Sequence, residues 1–212
     1  MKDGDIVLVD KPKGITSFDV IRKLWRTYGK MKMGHAGTLD PNATGLMILA
    51  VGSATKRLNE FLKLPKCYEA EIQFGIQTDS GDCTGKIIAT TDTEGLSTQR
   101  ITDTLVGMKG TLELAVPMYS AIKKDGKALY AYARAGEAVV VPVKPMTIRN
   151  AHWDGYDSVT ARAKVFFDVE SGTYIRTLAE ELGRRMNTVA TLVELRRLSI
   201  GEYKVEGALK LE

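Results

Sequence analysis

The chain has 212 residues, of which 44% are hydrophobic and 26% charged, a balance typical of a folded globular protein rather than a disordered one. Its 30 basic and 26 acidic residues give a net charge of only +4, which by itself says little about partners. No apolar run approaches the ~20 residues of a membrane span, and the amino terminus lacks a signal-peptide pattern, so a cytoplasmic protein without a membrane partner is expected.

The first third of the chain predicts two strands and two helices. IVLVD (6–10) is typical of a strand, and Ser17 is the expected N-cap of the next helix, which Gly29 should end. The apolar stripe of this helix consists of Ile21, Leu24, Trp25 and Tyr28. The run LMILAV (46–51) predicts a buried strand, and residues 53–63 predict a second helix.

Residues 68–74 alternate between apolar and polar, which is the period of a half-buried strand. A turn-rich loop (78–85) and a return strand (86–90) should follow. The later predicted elements are a helix over 97–108, strands over 111–116 and 161–170, a helix over 174–186 and a last strand over 193–200. This mixture favours an α+β fold over a parallel doubly wound sheet, and the lack of a linker favours one domain over 1–212.

Residues 118–144 differ from the rest of the chain, since they combine a basic helical stretch (123–136) with a short VVV strand (139–141). We expect an insertion with its own small hairpin or thumb. The basic residues gather in three clusters: Arg22, Lys23, Arg26, Lys30 and Lys32; Lys123, Lys124, Lys127 and Arg134; and Arg184, Arg185, Arg196 and Arg197. Each cluster alone could be a solvated face, but three together suggest a polyanionic partner.

The segment GTLDPNATGL places Asp40 just before the buried strand 46–51. A Leu-Asp-Pro triplet alone is usually a turn. The longer segment, however, resembles the GxLDxxATGL signature of pseudouridine synthases, and the flanking residues 35–37 and 52–56 narrow the resemblance to the TruB family. That family converts the T-loop uridine of tRNA, uridine 55, to pseudouridine. Further blocks similar to the family's, in its order, lie at 10–14, 66–68, 77–82, 117–121, 172–177 and 195–197.

The resemblance implies a pseudouridine synthase fold, with a mixed, mainly antiparallel sheet flanked by helices, and three catalytic residues. Asp40 is the carboxylate, acting either as nucleophile at the sugar or as base at its C2′. Arg176 is the cation expected to keep it charged, because a carboxylate against an apolar strand would otherwise tend to hold its proton. Tyr68 would stack on the flipped-out base and is a candidate for moving the proton from C5.

The resemblance also implies contacts to the substrate. The residues concerned are Lys11, Pro12, His35, Asp82, Tyr174, Leu195 and the thumb lysines Lys123, Lys124 and Lys127. His35 would fill the gap left by the flipped nucleotide, and Lys11 would support the loop that carries Asp40. The loop around Asp82 could equally be a simple turn. The thumb would clamp the T arm through its phosphates.

The resemblance implies no cofactor and no metal, and the two cysteines, Cys67 and Cys83, lie too far from a metal-binding pattern to suggest otherwise. The thumb predicts a stand-alone monomer that needs no guide RNA. The chain ends fifteen positions after Arg197, so the family's usual C-terminal PUA domain is expected to be lacking. Two alternatives stay open: a protein that binds or folds tRNA without catalysis, and a synthase with a different RNA specificity.

Overall fold

The computed structural model of the protein describes residues 1–211. The helices are α1 (Ser17–Tyr28), α2 (Leu58–Leu62), α3 (Thr98–Gly107), α4 (Leu129–Ala135) and α5 (Ile175–Arg185), and a 3₁₀ helix covers Gly52–Arg57. The strands are β1 (Ile6–Lys11), β2 (Met33–His35), β3 (Thr44–Val51), β4 (Lys66–Phe74), β5 (Ile76–Thr78), β6 (Ile87–Thr90), β7 (Gly110–Ala115), β8 (Lys123–Lys124), β9 (Lys127–Ala128), β10 (Val143–Asp157), β11 (Arg162–Val169), β12 (Ala190–Ile200), β13 (Tyr203–Lys204) and β14 (Leu209–Lys210). Within these residues no helix is both long and apolar enough to cross a membrane.

Helix α1 is capped by Thr16, so the prediction of Ser17 as N-cap is wrong by one residue. The Thr16 hydroxyl accepts a hydrogen bond from the amide of Asp19 at 3.1 Å, and the Asp19 carboxylate accepts one from the amide of Thr16 at 2.9 Å. Ser17 is instead buried, and its hydroxyl contacts the backbone of Leu39. The buried side of α1 consists of Ser17, Val20, Ile21 and Leu24. Tyr28, expected on this side, is 42% exposed.

One compact unit comprises residues 1–69, 168–171 and the chain from 194 onward. Its strands lie in the order β14-β1-β3-β12, with β1 antiparallel to β3, while the pairings of β14 with β1 and of β12 with β3 are parallel. Strands β2 and β13 pair antiparallel with β3 and β12. The buried apolar cluster of this unit consists of Ala36, Leu46, Ile48, Phe61, Ile200 and Val205.

The other compact unit comprises residues 70–167 and 172–193. Its strands follow the order β4-β11-β10-β7, and β10 is antiparallel to β7. Two small antiparallel sheets, β5 with β6 and β8 with β9, complete it. Val116, Leu129 and Met146 form a buried cluster, against which Tyr174 packs. That both units form the single domain expected over 1–212 stays a prediction.

The mixture of antiparallel pairings, a few parallel ones and helices confirms the α+β prediction. The alternation predicted for β4 is also confirmed, because Tyr68, Ala70, Ile72 and Phe74 are buried while the residues between them are partly exposed. The strand predicted over 86–90 is β6, which pairs with β5. The hairpin expected in the insertion is present as β8 and β9, whereas its role as a thumb stays a prediction.

Two sequence predictions of strands are wrong, and one long strand was missed. The VVV segment (139–141) forms no strand, and β10 begins only at Val143, after Pro142. Strand β10 then runs for 15 residues, most of which the sequence did not indicate as a strand. The strand over 193–200 is not the last one, since β13 and β14 follow it.

Candidate active site

Asp40 lies in the segment between β2 and β3, and the backbone is held on both sides of it. On one side the Ser17 hydroxyl accepts from the amide of Leu39 at 2.9 Å and donates to its carbonyl at 3.1 Å. On the other side the amide of Ala43 donates to the carbonyl of Asp40 at 3.0 Å, and that of Gly14 donates to Pro41 O at 2.9 Å. Asp40 is itself half-buried. The turn is therefore a fixed platform for its carboxylate.

Lys11 is fully buried at the end of β1, opposite Gly45 of β3. Its ammonium donates to the carbonyls of Ala43 at 2.6 Å, Pro41 at 3.0 Å and Pro12 at 3.1 Å, which uses all three of its protons. Burial lowers the pKa of Lys11 to about 8, against an opposing contribution from the charge of Asp40. Lys11 is thus still mainly a cation at pH 7, and it interacts electrostatically with Asp40 as well as supporting the loop.

Arg197 of β12 also bonds the segment that carries Asp40, a contact that the sequence did not indicate. The residue is 1% exposed, its Nε donates to Leu46 O at 2.7 Å, and its Nη2 donates to Gly37 O at 3.1 Å. For Arg197 the prediction of a phosphate-binding surface is therefore wrong, because no surface is left to the guanidinium. Its neighbour Arg196 instead pairs with Asp10 of β1 at 2.8 Å. Nothing in the sequence indicates which of these two adjacent arginines is buried.

His35 ends β2 and is half-buried. Burial, and to a lesser degree the charge of Arg197, lowers the pKa of His35, which favours the neutral imidazole. Its Nδ1 is buried and has no hydrogen-bond partner among the described residues. This nitrogen is enclosed by the protein, and the contact of His35 with the substrate stays a prediction.

Tyr68 and Leu195 lie on the strands predicted for them. Tyr68 belongs to the buried side of β4 and is 8% exposed. Leu195 precedes the residue of β12 that pairs with Thr44, and its carbonyl accepts a long bond of 3.5 Å from the Thr44 hydroxyl. Leu195 therefore lies beside Thr44, near the C-terminal end of residues 37–46, the Asp40 segment. The functional roles of both residues stay predictions.

Arg176 occupies the first turn of α5 in the other unit and is buried. Its Nη1 donates to Ser80 O at 3.0 Å and its Nη2 to Tyr119 O at 2.9 Å, so it joins two loops. Burial raises the pKa of Glu180, one turn further along α5, while the charge of Arg176 acts in the opposite direction. Arg176 is thus a buried cation and not a solvated one, and its pairing with Asp40 stays a prediction.

Asp82 forms the turn that the sequence left as an alternative. Its Oδ1 accepts from the Ser80 hydroxyl at 2.9 Å, the Thr84 amide at 3.0 Å and the Thr84 hydroxyl at 2.5 Å. These bonds account for the turn, and a contact of Asp82 with the substrate stays a prediction. Tyr174, also predicted to contact the substrate, is the residue that precedes α5.

The predicted thumb lysines differ in what they contact. Lys123 is exposed on β8, whereas Lys124 donates to Val140 O at 2.8 Å. Lys127 binds the carboxylate of Glu137 at 2.8 Å and lies 4.5 Å from the ring centre of Tyr132. The last two ammonium groups therefore already have internal partners, and their contact with phosphate stays a prediction. Among residues 1–211 no cluster of three or more His, Cys, Asp or Glu side chains could hold a metal ion.

Comparison with known proteins gives a family whose description reads "TruB family pseudouridylate synthase (N terminal domain)", which matches residues 25–175. The chain belongs to the TruB family. Proteins described as "tRNA pseudouridine synthase B" support this assignment. The one from Bordetella pertussis is 42% identical over 212 residues, covering 99% of this chain and 86% of its own. That from Caldicellulosiruptor saccharolyticus is 43% identical, covering 98% of this chain and 71% of its own.

Among solved structures, a chain of "Crystal Structure of a Cbf5-Nop10-Gar1 Complex" superposes with a TM-score of 0.73. The alignment covers 97% of this chain and 52% of that chain, at 22% identity. At this identity the likeness establishes the fold alone, and it agrees with the mixed α+β architecture. The TruB match over 25–175 includes Asp40 and Tyr68, while Arg176 and Arg197 lie beyond its end.

Proposed function

We propose that this TruB-family chain isomerises uridine to pseudouridine in tRNA, with Asp40 as the catalytic carboxylate. One observation carries the proposal: the segment GTLDPNATGL holds Asp40 on a backbone that is fixed on both sides. The 42% identity to proteins named tRNA pseudouridine synthase B, over 99% of the chain, supports tRNA as the substrate. We further propose the T-loop uridine as the target and a stand-alone monomer in the cytoplasm, without guide RNA.

The proposed reaction breaks the C1′–N1 bond of uridine, rotates the uracil and forms a C1′–C5 bond. The proton leaves C5 and ends on N1, so the atoms balance without water or any co-reactant. An ionised Asp40 can begin this sequence either by attacking C1′ or by removing the C2′ proton. Water must be excluded, because it would compete for the sugar. In this scheme Arg176 keeps Asp40 charged and Tyr68 stacks on the base.

The experiment incubates the purified protein with an unmodified tRNA transcript and maps pseudouridine chemically, since the product has the same mass as the substrate. The variant Asp40→Asn (D40N) keeps the size of the side chain and removes its charge. We expect D40N to lower the rate by at least about 1,000-fold, because the reacting group itself is lost.

The matched control is Asp157→Asn (D157N). Asp157 also shapes a turn, by accepting from the amide of Val159 at 2.9 Å and the hydroxyl of Thr160 at 2.7 Å, but it lies outside every predicted motif. D157N should keep the wild-type rate within about twofold. Wild-type protein that binds tRNA but yields no pseudouridine would favour the RNA-binding alternative. Product at a different uridine would favour the alternative of another specificity.

A further inference from the structure

The buried side chain of Arg197 bonds the backbone of the Asp40 segment at two places. Its guanidinium bonds the carbonyl of Gly37 through Nη2 at 3.1 Å and the carbonyl of Leu46 through Nε at 2.7 Å. These two residues are the first and last of GTLDPNATGL, and Asp40 lies between them. A single side chain from another strand therefore joins both ends of the segment that carries the catalytic carboxylate.

Both glycines near the ends of the segment meet this arginine. A Cβ on Gly45 would overlap the backbone of Arg197, which pairs with Gly45 in the parallel β3–β12 ladder. A Cβ on Gly37 would lie 3.4 Å from Nη1 of Arg197, at the short limit of an ordinary van der Waals contact. The glycines thus allow the close approach of β12, and the guanidinium occupies the space that they leave.

We propose that Arg197 is a positioning residue, which fixes the place of the Asp40 carboxylate by tying Gly37 to Leu46 and does not itself touch RNA. This inference rests on the proposed function of Asp40. The planar guanidinium donates to these two carbonyls from two different nitrogens, Nε and Nη2, whereas a lysine carries a single donor nitrogen. At 1% exposure the side chain has no surface to offer to a phosphate.

The experiment must separate the effect of the positive charge of Arg197 from the effect of its two hydrogen bonds. That charge contributes, after burial, to lowering the pKa of His35, and it also opposes the protonation of Lys11. The variant Arg197→Lys (R197K) keeps the positive charge and loses the bonding from two nitrogens. At pH 7, where the buried lysines of this protein are still mainly charged, a loss in R197K therefore reports mainly the lost bonds to Gly37 and Leu46.

The matched control is Arg100→Lys (R100K). Arg100 also joins two backbone carbonyls with its guanidinium, Gly95 O at 3.1 Å and Met186 O at 2.8 Å, but neither belongs to the Asp40 segment. Both variants therefore lose the same kind of contact. Only R197K loses it at the segment that carries the carboxylate.

On an unmodified tRNA transcript, R197K should lower kcat about 100-fold, because small misplacements of a reacting group cost about this much. KM should stay within about threefold of the wild-type value, since a buried residue that does not touch RNA contributes nothing to binding. R100K should leave both constants unchanged. A wild-type kcat in R197K, or a raised KM with unchanged kcat, would overturn the proposal.

Hydrogen exchange provides a measurement that does not depend on catalysis. Amides of residues 37–46, including that of Ala43, should exchange at least about tenfold faster in R197K than in wild type, and at the wild-type rate in R100K. Unchanged exchange in R197K overturns the positioning role. If the wild-type protein makes no pseudouridine but the exchange changes as expected, the proposed function fails while the positioning role stands.

The wild-type protein offers a second test in case R197K does not fold. The Nε–H of Arg197 is enclosed and bonded to Leu46 O, so its exchange with solvent, followed by nuclear magnetic resonance, should be at least about tenfold slower than that of the exposed Arg57. Exchange at the rate of Arg57 would show that the tie to Leu46 does not persist, and the proposal would be wrong.

Discussion

At the scale of single residues, Lys11 decides how firmly the Asp40 segment is held. Its ammonium bonds three carbonyls, two of them in that segment, and it is fully buried. The variant Lys11→Met (K11M) fills the same space but leaves buried carbonyls without donors and removes the charge of Lys11 that interacts with Asp40. We expect a loss of about 2–4 kcal/mol in the free energy of unfolding, measured by urea denaturation.

The control for this prediction lies two positions further on. Lys13 is half-exposed and forms an ion pair with Glu194, also at the surface. Because exposed ion pairs contribute little, Lys13→Met should change the free energy of unfolding by no more than about 0.5 kcal/mol. Equal losses in the two variants would mean that the three carbonyl bonds of Lys11 do not matter for stability.

The same residues show what the sequence could and could not predict about the site. Asp40 was identifiable because its ten-residue motif is specific. The bonding of Lys11 depends on the register that places it opposite Gly45, and register between strands distant in sequence is not written in a local pattern. Arg197 was missed for a related reason, since two adjacent arginines on a strand point to opposite sides and only the fold decides which side is buried.

At the scale of elements, Gly45 controls the contact between β3 and β12. It has a φ of 103°, and a Cβ there would overlap the backbone of Arg197, so Gly45→Ala (G45A) must separate the two strands. We expect a loss of at least about 3 kcal/mol in the free energy of unfolding, from backbone strain and the displaced strand together. Thermal or urea denaturation of the purified variant measures it.

Gly207 provides the comparison, because its φ of 83° is also positive but nothing lies within 4 Å of a Cβ placed there. Gly207→Ala should cost only about 1–2 kcal/mol, which is the conformational cost alone. If G45A costs no more than this variant, the close approach of β12 to β3 is not what makes a glycine necessary at position 45.

Elements were predictable from sequence where one pattern covered their whole length. Strand β4 alternates over its entire span, and α3 carries its own N-cap at Ser97, so both were found. Strand β10 was not, because its apolar residues do not keep one alternation along its length, and its pairing with β7 over Val143–Ile148 and with β11 is not visible in a local pattern. The apolar VVV segment lacks such a partner strand among the described residues, and hydrophobicity alone did not make it one.

At the scale of the whole molecule, two buried lysines should make stability depend on pH in an unusual direction. Burial lowers the pKa of Lys11 to about 8 and that of Lys66 to about 8. The unfolded chain holds these protons up to a pKa near 10.5, whereas the folded protein releases them from about pH 8. The unfolded state therefore binds more protons in this window, so the free energy of unfolding should rise with pH.

Lys66 is the better reporter of this effect, because its ammonium bonds Leu62 O at 2.6 Å and Leu64 O at 2.5 Å at the end of α2, outside the Asp40 segment. Between pH 7.5 and 9.5, we expect Lys66→Met to reduce the rise in the free energy of unfolding by about 2 kcal/mol, since one pKa unit corresponds to about 1.4 kcal/mol. Urea denaturation of both proteins at each pH measures the difference. The contributions of the other titrating groups to the free energy of unfolding are common to both proteins and cancel. A variant whose pH dependence matches that of the wild type would mean that Lys66 keeps an ordinary pKa in the folded protein, and that its two carbonyl bonds offset the cost of burying its charge.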